Sequence, residues 1–274
     1  MEISELKALS KKFRIQVLKM FMNAGSGHFG GSFSVVEILI ALYFGGILNV
    51  DPRRPLWEDR DRLVLSKGHA SGMLCAILAE KGFYPKELLD TYNHLNSPFG
   101  QHPDMNKIPG IDMSTGSLGH GLSVAVGMAL AARMDKRSYK CFAILGDAEM
   151  QSGMTYEAAM AAGNYGLTNV VMILDRNLYT MDGSSEDLMS IEPIDAKLKS
   201  LKWGVVTIDG HDYAQILRAL NSLPIEPGKP SAIIANTVKG KGVSFMENTH
   251  AWHFKPLEQE PFQRALQELE ADKS

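Results

Sequence analysis

The sequence predicts an α/β fold: a parallel sheet with helices on both faces. Short apolar runs recur at Arg62 to Leu65, Cys141 to Leu145, Val170 to Leu174, Gly204 to Ile208 and Ser231 to Ala235. Runs of this length, bounded by turn-forming residues, read as strands buried on both faces. Helical patterns separate most of them, and that alternation favours parallel pairing with helices packed above and below. The apolar fraction of 45% and charged fraction of 22% belong to an ordinary globular protein.

The elements follow in order. Ile3 to Met22 mixes charges with Leu, Phe, Ile and Met at helical spacing, an amphipathic first helix. Helical patterns continue at Ser34 to Phe44, Ala70 to Gly82, Lys86 to Asn93 and Gly119 to Met134. Met154 to Asn164, rich in Ala, Met and Glu, predicts a helix between the second and third strands. Tyr213 to Leu223 precedes the last strand, and Leu257 to Glu270 forms a surface-packed tail helix. Two long loops remain, Asn96 to Ser117 and Val238 to Pro256. Loops of that length in a compact domain are usually functional or disordered. No repeat, low-complexity tract or interdomain linker interrupts the chain, so 1–274 is expected to be a single domain.

Composition excludes several classes. A net charge of -3 gives no footprint for nucleic acid or an anionic membrane. No apolar run approaches the roughly twenty residues that cross a bilayer. The N-terminal segment has no secretory apolar region, so a cytoplasmic location is expected. Cys75 and Cys141 sit in apolar contexts and read as reduced core residues.

The stretch from Gly146 to Asn177 sets a geometric problem. One apolar run ends at Gly146-Asp147, and the next ends at Asp175-Arg176-Asn177. Strand, helix and strand in about thirty residues make a βαβ unit, whose strands are parallel. Asp147 and Asn177 then emerge on one sheet edge, where open α/β sheets bind ligands. A carboxylate and an amide oxygen are hard ligands suited to Mg2+ or Ca2+. The spacing equally allows Asp147 to cap a helix and Asn177 to sit in a turn.

Half of the eight histidines directly follow glycine. The contexts are Ser26-Gly27-His28, Lys67-Gly68-His69, Gln101-His102-Pro103, Leu118-Gly119-His120-Gly121, Asp209-Gly210-His211-Asp212 and His250-Ala251-Trp252-His253. Glycine lets backbone approach a ligand, and imidazole donates, accepts or shuttles protons near pH 7. Their pairing near strand ends suggests a site for a phosphorylated or polyhydroxylated ligand. No pair has the spacing of a zinc site. Taken singly, each histidine could instead satisfy a turn.

These motifs together resemble the thiamine-diphosphate-binding half of transketolases, most strongly the N-terminal subunit of split transketolases. The resemblance covers nearly the whole chain. Besides the histidine motifs it includes Asp59-Arg60-Asp61-Arg62, Ser66-Lys67-Gly68-His69, Gly100-Gln101-His102-Pro103, Ser114-Thr115-Gly116-Ser117-Leu118-Gly119, Gly146-Asp147, Asn177 and Lys239-Gly240-Lys241-Gly242. It implies that Asp147, Asn177 and the Tyr179 carbonyl hold Mg2+ (or Ca2+), which grips the cofactor diphosphate. Amides around Gly146, Ala148 and Glu149 would add anion binding. His69 and His253 would contact the diphosphate or the reacting carbonyl. His28 and His102 would line the substrate channel, and Gly116 and Leu118 would border the cofactor. Thiamine diphosphate would supply carbanion chemistry, and a two-carbon ketol unit would pass from a ketose to an aldose, sugar or sugar phosphate. The histidines would move protons.

The chain departs from the family pattern at four places. Ala148 stands where Gly-Asp-Gly is usual, so its added methyl demands a negative φ or crowds the diphosphate. Ser152 replaces the first acid of a carboxylate relay between active sites, while Glu157 matches the second, which implies weakened coupling. Leu178 replaces a common glycine and would be strained at positive φ. Phe254 replaces a glycine after His253, which reshapes the substrate side. The pyrimidine-binding and C-terminal domains of transketolases have no counterpart in 274 residues. The cofactor-activating glutamate is therefore expected on a partner chain, in an α2β2 assembly. Two other readings stand beside this one. The chain could serve another thiamine-diphosphate enzyme, of the 2-oxo acid dehydrogenase or deoxyxylulose phosphate synthase type. It could also be a non-catalytic assembly partner, which Ala148 and Ser152 alone favour. His28, His102 and His253 favour ketol transfer.

Overall fold

The structure, a computed structural model, describes residues 1–271, so 272–274 of the expected domain lie outside the described residues. The strands are β1 (Ser26–Gly27), β2 (Arg62–Leu65), β3 (Cys141–Gly146), β4 (Val170–Arg176), β5 (Gly204–Asp209), β6 (Ser231–Asn236) and β7 (Lys255–Pro256). The helices are α1 (Ile3–Asn23), α2 (Phe29–Ser34), α3 (Val36–Phe44), α4 (Ser71–Lys81), α5 (His120–Met134), α6 (Gly153–Asn164), α7 (Ser185–Met189), α8 (Ile194–Ser200), α9 (Tyr213–Asn221) and α10 (Gln259–Ala271). Five strands form one sheet in the order β2-β3-β4-β6-β5. Every pair in it is parallel.

Alternation along the strands explains the two-sided core. Phe142, Ile144, Val171, Ile173 and Ile233 face one side, where they join the apolar faces of α1, α3, α4 and α9. Their neighbours Cys141, Ala143, Leu145, Val170, Met172, Leu174, Ala232 and Ile234 face the other, with α5, α6 and α8. Successive side chains of a strand point to opposite faces, so a sheet covered twice needs a continuous apolar run. Both cysteines are buried and unpaired. Among the described residues no helix is long and apolar enough to cross a membrane.

Several boundaries move for local reasons. The helix expected over Ser34 to Phe44 divides at Val35, with α2 beginning upstream at Phe29. Lys86 to Asn93 forms only 3-10 turns over Lys86–Thr91. β4 runs two residues past its apolar stretch, to Arg176, because Asp175 is paired and fully buried. α7 and α8 lie between β4 and β5, where helical periodicity is too short to be read. The tail helix packs on α1 through Ala265 and Leu269.

Gly163 and Gly127 test the packing with opposite signs. A Cβ on Gly163 would lie 1.8 Å from the Leu201 carbonyl oxygen, whereas one on the exposed Gly127, within α5, meets nothing within 4 Å. Urea titration of the isolated chain should show Gly163→Ala losing about 2 kcal/mol through overpacking. Gly127→Ala should gain roughly 0.5–1 kcal/mol from helix propensity.

Candidate active site at the carboxyl edge of the sheet

Parallel pairing brings the carboxyl ends of β2, β3, β4 and β6 to one edge. Lys67, Gly68 and His69 follow β2, Asp147 follows β3, Asn177 follows β4 and Lys239 follows β6. Beside that edge lies a cavity of about 350 Å3. Asp147, Ala148, Asn177, Tyr179, Lys67, Lys239, His69 and His253 are among its lining residues. That volume suits a cofactor or a small ligand.

A buried ion pair organises the floor. The Lys67 ammonium contacts Asp175 and donates to the Gly31 carbonyl at 2.9 Å. Asp175 also accepts from the hydroxyl of Ser34 at 2.6 Å and from that of Thr237. Burial alone would raise the Asp175 carboxyl; Lys67 and these hydrogen bonds outweigh it and hold it low. The amide nitrogen of Asn177 donates to Asp175 at 3.3 Å, which leaves its oxygen to accept from the Tyr179 amide at 3.3 Å.

Asp147 occupies the opposite electrostatic situation. Its oxygens accept from the amides of Ala148 at 2.8 Å and Leu178 at 2.5 Å. It is 1% exposed and forms no ion pair among the described residues. Burial, then the nearby Asp175, push its carboxyl up to about 6. A cation beside it would restore the charged form. Lys239 reaches the other half of the expected cation site: its ammonium donates to the carbonyls of Tyr179 at 3.0 Å and Thr180 at 2.6 Å. Burial and then Lys67 lower Lys239 to about 8. Among the described residues no group of three or more His, Cys, Asp or Glu gathers around a metal position. Asp147, Asn177 and the Tyr179 carbonyl nevertheless fit a cation that shares its coordination with phosphate oxygens. The two buried lysines fit a diphosphate.

The substituted positions find local answers. Leu178 adopts φ +69°, the strained conformation its replacement of glycine implied. Its amide is held by Asp147 and its carbonyl by the Ser185 amide at 2.9 Å. Backbone held from both sides can sustain such strain. Ala148 lies in a 3-10 turn without positive φ, so its methyl needs no unusual backbone. The Gly146 and Ala148 amides have local acceptors in this structure. The first lies 3.4 Å from Glu149 and the second is taken by Asp147, both carboxylates close enough to capture them locally. Glu149 also accepts from Ser66 and, at 2.7 Å, from the Gly119 amide.

Four histidines converge above the cavity. The His28 ring lies 5.5 Å from His69, 5.6 Å from His253 and 6.0 Å from His102. His69 and His253 are 5.0 Å apart and line the cavity. Close backbone makes this possible: a Cβ at Gly31 would lie 2.9 Å from His69, and one at Gly116 2.9 Å from His102. Gly116 thus sits under His102 and lines a smaller neighbouring cavity with Ser117 and His120. Lys239 donates to Nδ1 of His253 at 3.0 Å, since an ammonium has no lone pair, so the neutral ring carries its proton on Nε2. Burial lowers His28 to about 4 and His253 to about 3, and it lowers His69 and His102 as well. All four are neutral at pH 7, ready to donate one hydrogen bond and accept another.

Most of the expected residues meet here. His28, His69, His102, His253, Leu118, Gly116, Gly146, Asp147, Ala148, Glu149, Asn177 and Tyr179 lie in or beside the cavity. Glu157 does not: it is exposed on α6 and lines no part of the cavity. Sequence reading missed the work of Lys67, Lys239, Asp175, Ser34 and Thr237. The signal was a lysine directly before glycine at the end of an apolar run, in Ser66-Lys67-Gly68 and Lys239-Gly240.

Known proteins match this arrangement. The family model described as "Transketolase, thiamine diphosphate binding domain" matches residues 6–273. The 6-deoxy-6-sulfo-D-fructose transketolase subunit SqwG of Clostridium sp. (strain MSTE9) is 43% identical over 268 residues, 98% of this chain and 97% of that protein. An apulose-4-phosphate transketolase subunit from Phocaeicola vulgatus is 40% identical, covering 98% of this chain and 95% of that one. The crystal structure of transketolase from Campylobacter jejuni superposes with a TM-score of 0.92 at 32% identity. It covers 99% of this chain, which spans only 44% of that protein.

Acid should reveal the buried imidazoles. Their folded-state values lie below the ordinary 6.5, so below that pH the unfolded chain binds more protons than the native one. The stability these imidazoles contribute is full above about pH 6.5 and is lost as pH drops through 6 and 5, opposed by Asp147, whose raised carboxyl gains stability over the same fall. Calorimetry should show Tm decreasing by more than about 2 °C between pH 7 and 5. Replacing both His28 and His253 with Gln should shrink that decrease.

Proposed function

The chain belongs to the transketolase family through its thiamine diphosphate binding domain, and on that premise we propose that it is one subunit of a two-chain, thiamine diphosphate- and Mg2+-dependent transketolase. The observation that carries the reading is the buried cavity in which Asp147 and Lys239, neither in an ion pair among the described residues, lie beside the Lys67–Asp175 pair. A metal diphosphate answers both charges, with its cation on Asp147, Asn177 and the Tyr179 carbonyl and its phosphates toward the lysines. This arrangement argues against a non-catalytic assembly partner.

Bound thiamine diphosphate supplies the carbanion chemistry that moves a two-carbon ketol unit from a ketose to an aldose. The chain's own groups position and protonate. His253, its tautomer set by Lys239, presents Nε2–H as a donor to an oxygen that gains negative charge. His69 borders the same cavity as a neutral imidazole. His28 hydrogen-bonds Gln101 through Nδ1 at 3.0 Å, which orients its ring toward a substrate hydroxyl in the channel shared with His102. The names of the two subunit-sized relatives carry a sulfo group and a phosphate. An anionic sugar tail fits both, and we assign its recognition to the partner chain.

The partner is inferred from size and surface. Subunit-sized relatives match end to end, whereas the chain spans 42% of human transketolase, to which it is 34% identical. Leu118 and Met181, which line the cavity, and Met154, Met160, Leu188 and Met189 on α6 and α7 are exposed apolar side chains suited to a second subunit. An α2β2 assembly supplies the cofactor-activating glutamate from that subunit. Ser152 and the exposed Glu157 make a weak relay between sites, so we expect little coupling between the two active centres. A cytoplasmic location agrees with the buried, unpaired Cys75 and Cys141.

Two experiments test this reading. The purified chain alone should show no ketol transfer, and addition of its partner should restore it; a fully active isolated chain contradicts the proposal. Asp147→Ala in the assembled enzyme should lower kcat/KM by at least about a hundredfold, relieved in part by excess Mg2+. Activity equal to the parent enzyme would instead favour the assembly-partner reading.

A further inference from the structure

Phe254 directly follows His253, and its ring centroid lies 4.7 Å from that of His28, nearer than any of the other three histidines. The backbone fixes this neighbourhood. β7 pairs antiparallel with β1, Gly27 opposite Lys255, so His28 and Phe254 leave the same short ladder side by side. The Gly30 amide donates to the Trp252 carbonyl at 2.9 Å and the Leu257 amide to the Gly25 carbonyl at 3.2 Å, which ties both flanks. Trp252 is itself packed edge-on against Phe29 at 5.5 Å. Despite this anchoring the Phe254 ring is 46% exposed, whereas Phe29 and Phe33 are at 0%. Its position is therefore built, and its exposure is not that of a core residue.

Exposure rises across this cluster. His69 and His253 line the cavity, His28 is half-buried beside them, and His102 and Phe254 are exposed next to His28. An open aromatic face next to two neutral imidazoles suits a polyol: its C–H face packs on the ring while its hydroxyls reach the histidines. A ring with two χ angles makes that contact at small entropic cost.

We propose that Phe254 is a specificity-determining residue, the outer wall of the substrate passage, packing on the sugar's carbon chain beyond the first two carbons. The proposal rests on the ketol-transfer reading. A two-carbon aldehyde is too short to touch the ring, whereas a longer phosphorylated aldose runs along it. The contribution of Phe254 therefore depends on acceptor length, which a purely structural role would not.

The test uses the assembled two-chain enzyme with β-hydroxypyruvate as donor, whose ketol unit is released with loss of carbon dioxide. Glycolaldehyde and D-glyceraldehyde 3-phosphate serve as acceptors. In Phe254→Gly, kcat/KM for D-glyceraldehyde 3-phosphate should fall about tenfold while that for glycolaldehyde stays within about twofold. Phe254→Leu, which keeps the segment filled, should fall less for the longer acceptor and leave glycolaldehyde unchanged. Equal losses for both acceptors, or no loss for either, would overturn the proposal. Dissociation of the two chains in Phe254→Gly would also overturn it, because the ring would then belong to the subunit interface. A parent enzyme that turns over neither acceptor contradicts the ketol-transfer reading itself, and the role of Phe254 falls with it.

Discussion

The contact between the Lys67 ammonium and the Asp175 carboxylate is the constraint on which the site depends. Lys67 is 1% exposed and Asp175 0%, so each would be costly to bury alone. Together, and with Ser34, Thr237 and the Gly31 carbonyl, they join the end of β2, the end of β4, the loop after β6 and helix α2. Removing one partner of such a pair typically costs about 3–5 kcal/mol, because the survivor is left charged and buried. The pair also has a directional result. Asp175 takes the amide nitrogen of Asn177, which fixes the orientation of that side chain.

Charge is distributed unevenly around this pair, and the unevenness is what the cavity offers a ligand. Lys67 is neutralised, whereas Asp147 and Lys239 are buried without a partner of opposite charge within ion-pair distance among the described residues. Both are displaced toward their neutral forms, Asp147 upward and Lys239 downward, with burial as the main cause. Groups held in that way are energetically unsatisfied until a ligand arrives with complementary charge. The four imidazoles beside them, kept neutral by burial, complete a site with charged groups on one side and neutral hydrogen-bonding groups on the other.

Much of this is legible in the sequence. The strands are readable because a sheet covered on both faces requires unbroken apolar runs, and Cys141 to Leu145 and Val170 to Leu174 have no other simple interpretation. The placement of Asp147 and Asn177 follows from the βαβ spacing; glycine neighbours mark His28 and His69, whereas His102 and His253 follow Gln101 and Trp252 and take their roles from the family resemblance. The lysines escape assignment, because a lysine in a sequence reads as solvated; only the fold shows Lys67 and Lys239 turned inward. Glu157 stands apart from the cavity for the complementary reason: a motif position does not say which face of α6 a residue occupies. α7 and α8 are too short for periodicity to declare them. The ladder between β1 and β7, two residues on each side, joins segments more than two hundred residues apart in a way no local pattern announces.

The central claim is that this chain holds half of a metal-diphosphate cofactor site and a second chain supplies the remainder. Native mass spectrometry of the tagged protein, purified from its own cells with Mg2+ present, tests that claim most directly. The account predicts a complex containing a second polypeptide and thiamine diphosphate. A homo-oligomer without cofactor would contradict it.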